Sequence, residues 1–164
     1  MLLVSCTAVA SKEFRSQEGK FSIMAPLSLK ESDQTVSTQV GKIVAHMFMA
    51  ETTDVAYVVG YADYPLEIVR QSNADLILNG ASNGAVSNVN GKLVIQNVIS
   101  LQSYPGREIV ADVKTPDGKD GTMKGRIYIV DNRLYQVYVI ATKGKVETTK
   151  IDDFLNSFKL LVGE

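Results

Sequence analysis

Reactive side chains are scarce in this sequence. Its 164 residues include one histidine, His46, one cysteine, Cys6, no tryptophan and four prolines. One His and one Cys exclude a Cys/His zinc site, and a lone Cys excludes a disulfide within the chain. Neither sign of charge predominates, with 17 Lys and Arg against 18 Asp and Glu. Nucleic acid is therefore excluded as the main partner, because phosphate binding is driven by a basic surface. No apolar run reaches the roughly 18 residues that a membrane-spanning helix requires. Neither a Gly-x-Ser-x-Gly elbow nor a Gly-rich phosphate loop occurs. What remains is ordinary globular material, 45% apolar and 21% charged, of a length that suits one domain.

The first notable motif lies at the N-terminus. Leu3-Val4-Ser5-Cys6 resembles a bacterial lipobox, whose Cys is diacylated on sulfur and becomes the mature N-terminus. Only five residues precede Cys6 and none is charged, whereas a signal peptide carries a basic stretch and an apolar stretch. Either the signal peptide extends upstream of Met1, or the motif is accidental. Residues 7–17 read as a polar tether. The expected division is thus 1–17 as truncated signal, lipobox and tether, and 18–164 as a single domain.

Alternation and punctuation predict the elements that follow. Residues 21–25 read as a short strand stopped by Pro26, and 27–35 as polar and irregular. A short strand at 38–40 precedes the strongest hairpin, 42–50 with 54–62, turning at 51–54. Both faces of both arms are apolar, which predicts cover on both sides. Pro65 opens a helix to about Asn79, and the Asn- and Gly-containing stretch 82–91 reads as a loop. Strands are predicted at 92–103, 107–114, 122–130 and 133–141. Tyr104-Pro105-Gly106 is read as a turn, and Asp131-Asn132 as a tight type I′ turn. A last helix, with Thr149 and Asp152 as a capping-box variant, carries Ile151, Phe154, Leu155 and Phe158 on one stripe. Hairpin connections make the sheet mostly antiparallel, and two helices with a two-sided sheet make an α+β sandwich.

Several segments of the chain resemble the PsbP-like superfamily. They are Phe21-Ser22-Ile23-Met24-Ala25-Pro26, the stretch from Val55 to Pro65, Tyr104-Pro105-Gly106-Arg107-Glu108, Arg133-Leu134-Tyr135-Gln136-Val137 and Phe154-Leu155-Asn156-Ser157-Phe158. The resemblance runs from about Phe14 to Leu161, and its motifs are structural rather than catalytic. It implies an antiparallel sheet sandwiched between helices, no enzyme activity, no cofactor, and a role in binding another protein. Many bacterial members are lipid-anchored or exported, in keeping with Cys6.

Candidate chemistry is thin. His46 is the one available base for a Ser-His-Asp arrangement, and its mid-strand setting among Val44, Phe48 and Ala50 reads instead as a partly buried histidine satisfied by a hydroxyl or backbone group. Asp117, Lys119 and Asp120 suggest a calcium loop superficially, but Lys119 and Tyr128 occupy positions that an EF-hand fills with acids. Asp152 and Asp153 point apart on a helix and are expected to complement its dipole. Tyr64, Tyr104 and Arg107 are the candidates for contact with a partner. The expected function is a non-catalytic, lipid-anchored protein-binding or assembly factor, exported and held on the extracytoplasmic face through Cys6. The alternative is a carrier with a small-ligand cavity between sheet and helix.

Overall fold

A computed structural model describes residues 10–38 and 41–161. Seven strands form one antiparallel sheet in the order β3-β4-β5-β9-β8-β7-β6. They are β3 (Lys30–Thr38), β4 (Gly41–Glu51), β5 (Val55–Asp63), β6 (Lys92–Leu101), β7 (Tyr104–Lys114), β8 (Asp120–Val130) and β9 (Arg133–Thr142). A second sheet has the order β1-β2-β10, from β1 (Lys12–Ser16), β2 (Phe21–Ala25) and β10 (Lys159–Leu160). The helices are α1 (Leu66–Gln71), α2 (Ala74–Asn88) and α3 (Thr148–Asn156).

The large sheet separates two cores. On one face Phe48, Tyr57, Val59, Tyr61, Tyr128, Tyr135 and Val137 pack against Phe21 and Ile23 of the small sheet and Phe154, Leu155 and Phe158 around α3. On the other face Ile109, Ala111, Met123 and Ile127 pack against Leu78, Ala85 and Val86 of α2. The expected sandwich is therefore sheet-rich: strands make up 55% of the described residues, and a small sheet shares one outer layer with α3. The stripe on α3 is as expected, with both Phe rings and Leu155 buried. Central β5 is covered on both sides, Val58 and Val59 being equally enclosed. Cover fails further out on β4, where Met49 is 41% exposed, because α2 packs on β6, β7 and β8.

Other expectations need correction. Residues 12–16 lie within the stretch read as a tether, yet they form β1 and pair with β2 from Lys12↔Ala25 to Ser16↔Phe21. The polar stretch 27–35 contains most of β3, a nine-residue edge strand paired along β4. The predicted helix breaks at Ser72, and Asn73 restarts it by accepting the Asp75 N–H at 2.7 Å. The restarted helix runs through the predicted loop to Asn88, because Leu78, Ser82, Ala85 and Val86 are buried on the sheet. Tertiary packing outweighs the poor helix propensity of its Gly and Asn residues.

The β6–β7 turn is Gln102-Ser103, with Gln102 at φ 56°, and Tyr104, Pro105 and Gly106 lie within β7. Gly106 is required there by a close approach: a Cβ would meet the Tyr128 ring at 2.5 Å and the Ile127 carbonyl at 2.7 Å. Asp131-Asn132 does connect β8 to β9, but only Asp131 has positive φ, so the type I′ form is not adopted. Glu147, not Thr149, caps α3, without a side-chain bond. Asp152 lies past the first turn and accepts from Lys124 Nζ at 2.7 Å.

Candidate functional site

β6 is an edge strand, hydrogen-bonded on one side to β7. Residues 93–101 carry no charge. Residues directly opposite in an antiparallel pair share a face, so Val98 lies on the α2 face opposite Arg107, and Gln96 lies opposite Ile109. A register shift between Leu93 and Ile95 marks a bulge at Val94, which redirects side chains. Val94, Ile95 and Val98 are all exposed, and so is Leu76 in the first turn of α2.

A polar bracket braces this edge. Arg107 Nη2 donates to Asp75 Oδ1 at 2.5 Å, Nε to Asn79 Oδ1 at 3.0 Å and Nη1 to the Gly106 carbonyl at 2.9 Å. Gln96 Nε2 donates to the same Asn79 oxygen at 2.6 Å. Asp75 and Asn79 are four residues apart and so on one helix face. Arg107 thus ties α2 to β7, and Gln96 ties it to β6 through the same Asn79 oxygen.

Of the expected contact residues, Arg107 is buried and committed to this bracket. Tyr104 is half-buried opposite Leu101 beside the hairpin turn. Tyr64 is half-buried against the α2-side core, exchanging backbone and side-chain bonds with Asn132. Burial raises its phenol pKa. Tyr64 and Tyr104 lie at the same end of the large sheet but flank different strands, so the three do not form one patch. Cys6 lies outside the described residues. The exposed apolar residues of β6 were missed in the sequence because the bulge breaks its alternation; the available signal was the uninterrupted apolar run Leu93-Val94-Ile95.

The other candidates resolve as follows. His46 is satisfied by a carboxylate, Asp33, at 2.7 Å, rather than by a hydroxyl or backbone group. Its ring stacks on Tyr61 with centroids 4.7 Å apart. In the loop after β7, Asp117 pairs with Lys119 at 2.8 Å and Asp120 pairs with Lys114. Those lysines lower both carboxyl pKa values. A cleft of about 310 Å³ lies between β2 and α3, lined by Glu13, Ser22, Asp153, Asn156, Ser157 and Lys159 among others. Among the described residues no helix is long and apolar enough to cross a membrane.

Solved structures share this architecture. One of them is the solution structure of cyanobacterial PsbP (CyanoP) from Synechocystis sp. PCC 6803, matched with a TM-score of 0.61 over 95% of each chain. The fold is PsbP-like. At 10% sequence identity the likeness is one of architecture. No family model matches the chain, and no curated protein does. On this PsbP-like scaffold, β6 and its bracket occupy one rim of the large sheet, and the His46–Asp33 pair occupies the rim at β3.

Proposed function

We propose that the protein is a non-catalytic binding or assembly factor, working outside the cytoplasm, that docks an extended segment of a partner protein along β6. The observation that carries this reading is the unpaired edge that β6 presents, uncharged over residues 93–101, with Val94, Ile95 and Val98 exposed. Such an edge offers a row of backbone N–H and C=O groups to which another chain adds as a strand. The opposite edge differs in kind. β3 displays Lys30, Glu31, Asp33 and Gln34, and charged side chains discourage pairing. The Arg107 bracket holds β6 in place before any partner arrives, which lowers the ordering cost of association.

A diacyl lipid on Cys6 is the anchor in this reading, supported by the Leu3-Val4-Ser5-Cys6 motif. Because β1 starts at Lys12, the link from Cys6 is residues 7–11, spanning at most about 18 Å when extended. The domain would then sit close to the membrane, and its partner would be membrane-proximal. Mass spectrometry of the protein from its native host tests the anchor: a diacylated Cys6 supports it, and an unmodified chain starting at Met1 contradicts it.

The carrier reading rests on the cleft between β2 and α3. Its charged lining by Glu13, Asp153 and Lys159 suits a polar cargo. Affinity capture of the full chain from host membranes separates the two readings. A stoichiometric protein partner, released by Val98→Lys, supports docking. A copurifying small molecule with no protein partner supports the carrier.

A further inference from the structure

We propose that Glu31, Asp33 and His46 bind one divalent transition-metal ion at the β3 edge of the large sheet. The β3–β4 register sets Asp33 directly opposite His46, and Glu31, two residues from Asp33, lies on the same strand face. One donor atom from each residue lies within 4.8 Å of the other two. Ligands held about 2.0–2.2 Å from a common ion need only a small closure from there, and the exposed Glu31 side chain has the freedom to supply it.

The imidazole is already aimed. Its Nδ1 faces Asp33 Oδ1 at 2.7 Å, and its ring lies nearly parallel to Tyr61, at 23°. Tyr61 also carries the Arg133 guanidinium 4.4 Å from its ring centroid, and both Asp63 oxygens hold Arg133. Outer contacts of this kind fix the orientation of a metal-binding imidazole. Charge argues the same way. Among the described residues no Lys or Arg pairs with Glu31 or Asp33, and Asp33 meets the His46 ring nitrogen instead. Two carboxylates on neighbouring same-face positions repel unless a cation sits between them.

One imidazole with two carboxylates suits Zn²⁺, Mn²⁺ or Fe²⁺, whereas Ca²⁺ and Mg²⁺ prefer oxygen ligands throughout. The single histidine excludes a Cys/His zinc site but leaves this mixed set open. Glu31 and Asp33 are exposed, so the site is open to solvent.

The test is titration of the untagged full chain with ZnCl₂, read by calorimetry and by the imidazole NMR signal, which His46 alone supplies. The expected result is one saturable site per chain, a shifted His46 signal, and binding weakened at least about tenfold by His46→Ala or Glu31→Gln, as loss of a ligand or its support requires. Glu31 is exposed, so Glu31→Gln keeps the fold even if His46→Ala does not. Asp117→Asn, in the loop after β7, leaves binding unchanged. Absence of saturation, a His46 signal unmoved by zinc, calcium bound as tightly as zinc, or wild-type affinity in Glu31→Gln each overturns the proposal.

Discussion

Val98 and Arg107 stand directly opposite each other on β6 and β7, yet Val98 is 78% exposed and Arg107 is 4% exposed. The usual distribution is reversed, since valine is commonly buried and arginine rarely is. The inversion has a local cause. Asp75 and Asn79 reach down from α2 and take the guanidinium into the interface, while Val98 belongs to a strand with no neighbour on its outer side.

Arg107→Ala leaves Asn79 and Asp75 without their donor and empties a packed position. Charge-assisted hydrogen bonds are worth roughly 1.5–3 kcal/mol each when a partner is removed, and the exposure of Asp75 lowers its share. The expected loss is about 2–3 kcal/mol in urea melts. Arg107→Lys does not restore it, because an ammonium cannot reproduce the fork that reaches both side chains.

Phe154→Ala tests the other core. The ring is buried and meets Tyr57 edge-on, with centroids 5.1 Å apart. Deleting a buried aromatic ring costs roughly 3–5 kcal/mol, and the same melts measure it. A loss near zero would place α3 outside the cooperative unit.

Acid stability depends in part on Asp63. Its carboxyl pKa is lowered, first by the hydrogen bond from Arg133, which donates through Nε at 2.6 Å and Nη2 at 2.8 Å. A carboxylate favoured in the folded state adds stability above its unfolded pKa of about 3.9, and that stability is lost as pH falls through the lower folded value. Asp63→Asn is therefore expected to be less stable than wild type at pH 7, by no more than about 1 kcal/mol because the Asp63 side chain is half exposed. Below about pH 4 the two curves converge. Melts across this range check the sign; a constant gap at all pH values would contradict it.

The parts of the fold legible in the sequence are those with a buried face. The hairpin of β4 and β5, the pair of β8 and β9, and the stripe of α3 all declare themselves through apolar period. β3 has no such face: Lys30, Glu31, Ser32, Asp33, Gln34 and Thr35 are all exposed, and its strand geometry comes from pairing with β4. Its misreading also hid the partner of His46, since Asp33 reaches that ring only through the β3–β4 register. Arg107 was legible as a residue of interest but not as a buried one. Its side-chain acceptors lie 28 and 32 positions away, on a helix whose second half reads as a loop.

The docking account turns on β6, and site-specific photo-crosslinking in the native host tests it most directly. A photoreactive side chain is placed at position 98 in one variant and, as the control, at position 34 on the β3 edge in another. The account predicts one discrete adduct with a different protein from position 98 and none from position 34. No adduct from position 98, equal adducts from both positions, or an adduct with a second copy of this chain would contradict it.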